Sequence, residues 1–480
     1  MSQQITIHPV TRIEGHSKVT IQLDERGEVE GARFHVTEFR GFEKFCQGRP
    51  YSEMPGIMAR ICGICPISHI VASSKAGDAL LGLRPPRPAV LQRRLLTDAQ
   101  ILQSHALSFF HLSSPDLLLG FDAPPAQRNL FALAENDLEF ARQGIGLRRF
   151  GQRIIEGVTG KRVHPNWGVA GGVLGTVTTE LRDEVRAGLA ESHRTLRMSL
   201  DRCKKLIELY PDEIEHMGRF PSLFAGLVNK AGEPDAYDGF LHIVDGDGSV
   251  VAERLDPARY FEYLTEVAEP WSFMKFPYYA PRGYPGGMYR VGPLARLNVA
   301  LRMGTERAQA EFVEFRQRGG AGAAPVVNES FHFHLARLIE MLAALERIEG
   351  YFEDPDLYGS DLRSHAMLNE EEGVGACEAP RGVLFHHYKV DSNGLIVRAN
   401  LLIATSQNNL AINRTVEQAA RPYIHGGSPE EGMLNRVEAA IRCFDPCLSC
   451  STDALGQMPL QVEAFKPGGE LAWRLERGAP

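Results

Sequence analysis

The first part of the chain alternates apolar and polar residues, whereas its middle repeats apolar residues at intervals of three and four. The alternation over residues 5–39, with a turn at 24–27, predicts a hairpin or a small sheet. The longer spacing over residues 91–155 and 179–209, where prolines are few, predicts long packed helices. Helix should therefore dominate the centre of the molecule.

The second half of the chain mixes the two patterns. Residues 239–253 predict another hairpin, folded about 245–248, and residues 382–403 predict two strands around an Asn-Gly turn. Residues 270–293 are rich in proline and glycine, which predicts a long surface loop or a partner contact. Further helices are predicted over 306–316, 331–352, 416–421 and 430–443.

Together these patterns favour one domain over residues 1–480. Its class is α+β and predominantly α, with long central helices packed as a bundle and small β elements near the N-terminus and in the C-terminal part. A hydrophobic content of 44% and a charged content of 23% are ordinary for a globular protein and supply ample material for a core. We therefore expect no separate module or disordered tract.

Charge and hydropathy narrow the range of partners. The formal net charge of -8 is mild for this length and no basic stripe occurs, which argues against nucleic acid or an anionic membrane as the main partner. No run of about eighteen apolar residues occurs, and the first residues lack the layout of a signal peptide. We expect a cytoplasmic chain that binds small molecules or protein partners and does not insert into a membrane.

Two Cys-x-x-Cys pairs carry the clearest chemistry, Cys62 with Cys65 and Cys447 with Cys450. This spacing lets two sulfur atoms converge on one metal ion, and the nearby glycine and prolines permit the tight turn that it requires. Cys65 and Cys447 stand 382 positions apart. Closing such a loop costs only about 5 kcal/mol before constants, because the cost grows logarithmically. Four thiolates can return about 10–16 kcal/mol on binding a metal, so one joint site is feasible.

Two other interpretations of the pairs are open from the residues alone. A structural zinc site is the first, although zinc ribbons place their pairs about 15–20 residues apart. A thioredoxin-like dithiol is the second, although neither pair lies in a βαβ pattern. The remaining cysteines, at positions 46, 203, 377 and 443, are scattered and do not resemble the ligand run of an iron-sulfur cluster.

The two pairs with their flanks, residues 60–69 and 445–450, resemble the two metal-binding signatures of nickel-iron hydrogenase large subunits. Other stretches fit the same family along nearly the whole chain: 12–16, 39–43, 104–112, 164–172 and 378–382. Residues 38–45 and 63–69 are most similar to the cytoplasmic, NAD-linked bidirectional branch. The resemblance implies the hydrogenase large-subunit fold and reversible heterolytic cleavage of H2 to protons and electrons.

The resemblance also implies a ligand set. All four cysteines would bind nickel, and Cys65 and Cys450 would also bridge to an iron that carries carbon monoxide and cyanide. Soft sulfur donors suit nickel. The proton from H2 would go to Cys447 or, alternatively, to the guanidine of Arg381. We prefer Cys447, because arginine is effectively always protonated, and expect Arg381 to act as an electrostatic and steric clamp. Glu14 would receive the proton from Cys447 and pass it outward.

Further residues acquire roles only through the resemblance. His69 would donate a hydrogen bond to a bridging thiolate, and Asp116 and Asp445 would hold Arg381 by charge-assisted bonds. Pro380, Arg381 and Thr405 would line the pocket around the diatomic ligands. Without the resemblance, each of these residues fits a helix cap or a buried polar contact equally well. His332 and His334, two positions apart on a predicted helix, face different ways and are expected to be structural.

The C-terminal end departs from the family pattern. The family places a histidine three residues after the last cysteine, and its precursor is cut just beyond that histidine once nickel is in place. Here the position is Asp453, and residues 454–480 follow as a possible processing extension. In the family this histidine and a glutamate matching Glu43 help to hold a magnesium or similar ion. An aspartate can also bind a hard cation through oxygen.

The chain has no Gly-x-Gly-x-x-Gly after a strand and no phosphate-binding loop, so it should not bind NAD itself. The resemblance implies that iron-sulfur clusters, flavin and NAD belong to partners, namely diaphorase subunits together with an iron-sulfur small subunit. Two alternatives are a hydrogen-sensing protein and a non-catalytic subunit like one of a respiratory complex. The sequence does not reveal the final electron acceptor, the preferred direction, the oxygen tolerance or the oligomeric state.

Overall fold

A computed structural model of the chain describes residues 3–320, 325–425, 429–453, 460–465 and 471–477, the last two ranges as backbone only. The helices are α1 Phe42–Phe45, α2 Met54–Met58, α3 Pro66–Leu81, α4 Arg87–Ala106, α5 Ser114–Leu119, α6 Leu130–Asn136, α7 Leu138–Thr159, α8 Thr179–Leu209, α9 Pro211–His216, α10 Pro293–Val299, α11 Glu306–Gln317, α12 Phe333–Glu353, α13 Ala404–Gln407, α14 Asn409–Tyr423 and α15 Glu431–Phe444. A π-helical turn, Leu107–Ser113, joins α4 to α5.

The strands are short and form six small sheets. They are β1 Gln3–Ile7, β2 Ser17–Leu23, β3 Val29–Val36, β4 Gly168–Val169, β5 Gly172–Val173, β6 Leu223–Val228, β7 Phe240–Val244, β8 Val250–Leu255, β9 Leu264–Val267, β10 Phe276–Tyr279, β11 Tyr289–Arg290, β12 Glu372–Ala379, β13 Gly382–Val390, β14 Ile396–Leu402, β15 Leu460–Phe465 and β16 Leu471–Arg477. The larger sheets have the orders β1-β2-β3, β11-β6-β7-β8 and β12-β13-β14.

The centre of the molecule is a bundle in which α4 packs on α7 and α12, and α8 packs on α7 and α12. The predicted long helices and the predominantly α class are thereby confirmed. Helix α7 approaches α4 closely because residue 151 is a glycine. A Cβ at Gly151 would lie only 2.8 Å from the carbonyl oxygen of Ala99. Two clusters of buried apolar side chains fill the interior, and the larger one extends from Ile7 to Cys450.

Helix α3 lies against the sheet β12-β13-β14 and is buried along nearly all of its length. Its sequence explains this position, since apolar and small residues occupy every face and only a fully covered helix tolerates that composition. Cys65 is the residue immediately before this helix. The packing of α3 on β12 and β13 therefore fixes where the first cysteine pair lies.

Two predictions about the second half of the chain need correction. Residues 270–293 do not form a surface loop, because β10 and β11 lie within them and Phe276, Tyr289 and Val291 are buried. Pro270 and the tip at 281–286 are exposed, and the other residues of this stretch are buried or partly buried. The prolines and glycines mark the turns between these short strands, and β11 pairs in parallel with β6, which no local pattern reveals. Strand β12 was also not predicted.

The N-terminal sheet and the hairpin of β7 and β8 are as predicted. The strands β15 and β16 pair with one another within the C-terminal extension, and residues 454–459 before them lie outside the described part. Within the described residues, no helix combines the length and the apolarity needed to cross a membrane.

The packing of α3 on β12 can be tested at Gly375. A Cβ at this position would overlap the backbone of α3 at Ala72 and Ala76, and backbone cannot move aside as a side chain can. We expect Gly375→Ala to destabilise the protein by about 2–3 kcal/mol and to lower its melting temperature. Gly146→Ala is the control, since this glycine is an exposed position of α7 with open space around it, and it should be neutral or stabilising by up to about 1 kcal/mol. Equal melting temperatures for the two variants would contradict this packing.

Candidate metal centre

The two cysteine pairs meet in one buried cluster. The sulfur of Cys62 lies 3.3 Å from that of Cys447, Cys65 lies 3.5 Å from Cys450, and Cys447 lies 3.0 Å from Cys450. All four sulfur atoms are within 4.8 Å of one another. These distances are far longer than the roughly 2.05 Å of a disulfide. They match thiolates that share a metal, because a sulfur-to-metal bond of about 2.3 Å keeps two ligands within about 4.6 Å.

The first pair is shaped by a turn that closes on its own sulfur. The backbone N–H groups of Ile64 and Cys65 donate to the sulfur of Cys62 at 3.2 and 3.4 Å. A ring nitrogen of His164 lies 3.1 Å from the carbonyl oxygen of Cys62 and anchors the turn from a distant part of the chain. The geometry of this pair is therefore largely local, but its orientation depends on tertiary contacts.

The second pair follows the end of α15. Asp445 adopts a left-handed conformation (φ 53°) that stops the helix and turns the chain inward. The backbone N–H of Cys447 donates to the hydroxyl of Thr405 at 3.0 Å, and that of Leu448 donates to the carbonyl oxygen of Glu14 at 3.1 Å. Three separate segments thus hold Cys447 in place.

The donor set fits a thiophilic metal centre. Burial raises the pKa of Cys447 and Cys450, so these thiols give up their protons only to a strongly bound cation. Buried thiols are common in protein cores, but four that converge within 4.8 Å of one another form a ready ligand set for such a cation. Nickel, iron and zinc all bind thiolates strongly enough to suit this donor set.

Glu14 lies directly beside the cluster. The thiol of Cys447 donates to its carboxylate at 3.1 Å, and the backbone N–H of Ser449 donates to the same oxygen at 3.1 Å. The hydroxyl of Ser449 donates to the other oxygen. Glu14 is only partly buried, so its carboxylate lies between the buried cluster and the surface of the protein.

Arg381 is buried against the same cluster. Its Nε donates to the carbonyl oxygen of Asp445, and a terminal nitrogen lies 3.0 Å from the carboxylate of Asp445. Burial lowers the pKa of Arg381, but Asp445 and the thiolates, with Cys447 first among them, raise it well above its ordinary value. The guanidinium therefore stays charged, which agrees with a clamp and not with a base.

The prediction that Asp116 also holds Arg381 is wrong. The carboxylate of Asp116 accepts from Arg442 at 2.7 Å and from Asn435 at 3.1 Å, and it pairs with Arg12. Burial would raise the pKa of Asp116, but Arg442 and Arg12 hold it below its ordinary value. Sequence motifs could not separate the two arginine clusters, because Asp116 and Arg442 are 326 positions apart and meet only in the folded chain. Asp116 instead ties down the segment that leads to Glu14.

Thr405 binds the backbone of Cys447, and Pro380 directly precedes Arg381 in the chain. Arg296 fixes the loop that carries Pro380, since it donates to the carbonyl oxygens of Ala379 and Pro380 at 3.0 and 3.1 Å. The same guanidinium pairs with Glu340 and Glu378, both of which are buried. Every direction around the Arg296 head group is thus occupied, which makes the loop before Arg381 rigid.

His69 lies within hydrogen-bond reach of the sulfur of Cys65, and this contact contributes to a lowered pKa of Cys65 after the larger contributions of the other cysteines, Cys447 first. Its Nδ1 is 3.1 Å from Nε2 of His386. His332 and His334 lie outside the four-sulfur cluster. They are buried, and burial lowers their pKa to about 4 and about 3.

Glu43 and Asp453 lie close together near the second cysteine pair. The backbone N–H of Glu43 donates to the carbonyl oxygen of Asp453 at 3.1 Å, and the carboxylate of Glu43 accepts from Leu401 N at 2.7 Å. Both carboxylate oxygens of Asp453 are buried and have no hydrogen-bond partner among the described residues. Burial raises the pKa of Glu43 to about 7, and burial together with Glu43 raises that of Asp453.

Several residues of the site were missed from sequence. Ser449 binds Glu14, Arg296 braces the loop of Arg381, and His386 contacts His69. Ser449 could have been found, because it lies inside the second Cys-x-x-Cys pair. Arg296 and His386 give no local signal, since the backbone that Arg296 holds at Ala379 and Pro380 is more than 80 positions away and His69 is 317 positions from His386.

The comparisons with known proteins agree over almost the whole chain. A family model described as nickel-dependent hydrogenase matches residues 40–129 and 245–453, and one described as HoxL-like matches residues 4–39. The beta subunit of the NAD-reducing hydrogenase HoxS from Cupriavidus necator is 41% identical, covering 98% of this chain and 99% of that protein. One component of the F420-non-reducing hydrogenase vhc from Methanococcus voltae is 39% identical, covering 95% of this chain and 96% of that component.

A solved structure has the same fold. The crystal structure of an NAD+-reducing [NiFe]-hydrogenase in the H2-reduced state superposes with a TM-score of 0.90 at 43% identity, covering 94% of this chain and 99% of that one. The expected large-subunit fold is confirmed by this match.

The raised pKa of Glu43 predicts a pH-dependent cost of folding in the metal-free chain. Below the usual pKa of 4.5, the Glu43 carboxyl is protonated in both the folded and the unfolded state. Between pH 4.5 and about 7, it ionises only in the unfolded state. The free energy of unfolding therefore falls as the pH rises through that window. We expect Glu43→Gln, which keeps the oxygen that accepts from Leu401, to raise the melting temperature at pH 8 and to leave it unchanged near pH 4.5. The gain should not exceed about 3 kcal/mol.

The exposed Glu53→Gln serves as the control for this experiment and should show no such difference. An equal gain for Glu43→Gln at both pH values would mean that the substitution acts through packing and not through ionisation.

Proposed function

Because this chain belongs to the nickel-dependent hydrogenase family, we propose that its cysteine cluster holds nickel together with an iron that carries carbon monoxide and cyanide. The chain is the catalytic large subunit of a nickel-iron hydrogenase, an oxidoreductase that acts on H2. The observation that carries the proposal is the meeting of four buried sulfur atoms with a carboxylate against one of them.

Each cysteine has its own part in holding the centre. Cys62 and Cys447 would bind nickel alone, and Cys65 and Cys450 would bridge nickel to iron. When bound, the centre supplies heterolytic cleavage of H2 and takes up the two electrons. Thiolates suit this task, because soft, electron-rich sulfur stabilises nickel in the states it passes through.

Proton movement falls to Cys447 and Glu14. The sulfur of Cys447 accepts the proton, and the Glu14 carboxylate, 3.1 Å away, takes it from the sulfur without any rearrangement. Arg381 is not the acceptor in this scheme, because Asp445 keeps its guanidinium charged. The N–H and O–H groups of Ser449 hold the Glu14 carboxylate in position for the transfer.

The pocket around the diatomic ligands would be formed by Pro380, Arg381 and Thr405. Arg381 offers charged N–H donors, Pro380 presents an apolar wall, and Thr405 already binds the backbone of Cys447. Asp445 fixes the direction of the Arg381 head group. Because all of these residues are buried, they would keep bulk water away from an iron held there.

A hard divalent cation, such as Mg2+, fits beside the centre. Both oxygens of the buried Asp453 carboxylate are unpaired within the described part of the chain, which costs several kcal/mol unless a cation neutralises the group. Glu43 would be the second protein ligand, and oxygen donors of this kind are what Mg2+ prefers. We propose that Asp453 replaces the histidine that the family places at this position.

Electrons would leave through partners. Among the described residues, the four-cysteine cluster is the one group of metal-ligating side chains found, so no conduit of clusters lies within this part of the chain. The names of two relatives, both NAD-reducing hydrogenases, support NAD+ as the acceptor. We propose that an iron-sulfur small subunit and diaphorase subunits that carry flavin pass the electrons to it. We place such a complex in the cytoplasm. The family match does not favour the alternatives of a hydrogen sensor or a respiratory-complex subunit.

The proposal is tested on the complex that co-purifies with this chain. We expect one nickel and one iron at the cysteine cluster, infrared bands of iron-bound carbon monoxide and cyanide, and H2-driven reduction of NAD+. Cys447→Ala should abolish nickel binding, whereas Cys203→Ala, which removes a buried thiol outside the cluster, should retain it. Zinc as the only metal would end the hydrogenase assignment, and metal loading without NAD+ reduction would end the assignment of the acceptor.

The proton relay is tested by Glu14→Gln. The amide keeps the size of the side chain but cannot carry the proton, so we expect metal content to be unchanged and hydrogen-deuterium exchange on H2 to fall by about 10²-fold or more. Glu38→Gln is the matched control, because Glu38 is a neighbouring carboxylate that binds the backbone of His16. Exchange at the unmutated rate in Glu14→Gln would exclude this relay.

We also propose that residues 454–480 are removed during maturation. Asp453, the last residue before them, is buried beside Glu43, and the strands β15 and β16 pair with one another. The intact mass of the active enzyme should therefore lack 27 residues, and the chain from cells grown without nickel should keep them. An active enzyme of full-length mass would show that cleavage is not required.

A further inference from the structure

A file of buried polar side chains runs away from Cys65 between α3 and β13. Nδ1 of His69 lies 3.1 Å from Nε2 of His386, and Nδ1 of His386 lies 2.7 Å from the hydroxyl oxygen of Tyr388. That hydroxyl lies 2.8 Å from the hydroxyl of Ser73. All four side chains are at most 1% exposed. The proton relay proposed above does not use them.

The order of atoms leaves only two ways to place the hydrogens. His386 is neutral, because complete burial lowers its pKa well below the ordinary value. A neutral imidazole donates through one nitrogen and accepts through the other. The Tyr388 hydroxyl has a single hydrogen and therefore donates either to Ser73 or to His386. The group to which this hydroxyl donates determines the direction of every hydrogen bond between Tyr388 and Cys65.

A metal-bound cysteine selects one of these directions. The thiolate of Cys65 has no proton to give, so the nitrogen of His69 that faces it must carry a hydrogen. Since Nδ1 of His69 is engaged by His386, the nitrogen left for Cys65 is Nε2. If Nε2 carries the hydrogen in a neutral ring, Nδ1 must accept from His386, and His386 must in turn accept from Tyr388.

We infer that His386 is a positioning residue that locks His69 in the tautomer whose Nε2–H donates to the bridging thiolate of Cys65. Tyr388 completes the lock by donating to Nδ1 of His386. This inference rests on the proposed function, because it takes Cys65 to bridge to the iron. Its consequence is electronic: a thiolate that accepts a hydrogen bond gives less electron density to the metals than one that does not.

The carbon monoxide band of the iron reports this effect directly. In His386→Leu the donor to His69 is lost, Cys65 becomes a stronger electron donor, and the band should move to lower frequency. In His386→Gln the amide N–H can donate to Nδ1 of His69, so the band should stay at the unmutated position. His332→Leu is the matched control, because it replaces another buried histidine outside the network and should leave the band in place. All spectra are taken on the assembled holoenzyme.

Each outcome either supports or overturns the inference. A lower band in His386→Leu with an unmutated band in His386→Gln supports the inference. An unshifted band in His386→Leu overturns it, and so does an equal shift in His386→Gln or in His332→Leu. Should His386→Leu fail to load metal, Tyr388→Phe decides: loss of the lock predicts a second, lower band beside the original one, and an unchanged spectrum overturns the inference. Absence of the bands from the unmutated enzyme would instead refute the proposed iron ligands.

Discussion

The meeting of four buried sulfur atoms is the constraint on which the rest of the structure depends. Cys65 and Cys447 belong to segments near opposite ends of the chain, so the fold must bring those ends to one point. The packing of α3 on β12 and β13 places the first pair, and the left-handed turn after α15 places the second. In the proposed function, a metal bound by all four thiolates stabilises this meeting of distant segments.

The charged side chains around the cluster form two separate groups of ion pairs. Arg381 with Asp445 lies against the sulfur atoms, whereas Arg442 and Arg12 with Asp116 hold the segment before Glu14. Each buried carboxylate in these groups has a guanidinium partner, which is what makes its burial tolerable. Asp453 differs from these groups, since burial and Glu43 keep its pKa raised in spite of the nearby charge of Arg40, and this imbalance is the physical argument for a cation.

The chemistry divides between the chain and its partners for a physical reason. Proton transfer needs groups within hydrogen-bond distance, and Glu14 meets that need at Cys447. Electron transfer requires redox groups, and the remaining cysteines are scattered through the core, where burial raises the pKa of Cys203, Cys377 and Cys443 to about 12. Such thiols are unreactive and pack as part of the core. In the proposed function the electrons therefore leave to a partner subunit.

Local sequence determined the long helices and identified the two cysteine pairs as the candidate metal ligands. Apolar periodicity marks the long helix Thr179–Leu209, and the Cys-x-x-Cys spacing identifies both pairs, because each signal lies within a few residues. Resemblance to a family added Glu14 and Arg381, which carry no distinctive local pattern. Only the tertiary structure decided that Asp116 binds Arg442, that residues 270–293 are partly buried strands, and that His386 stands behind His69. These contacts join residues far apart in the chain, and which distant side chains meet depends on how whole elements pack, which no short stretch of sequence records.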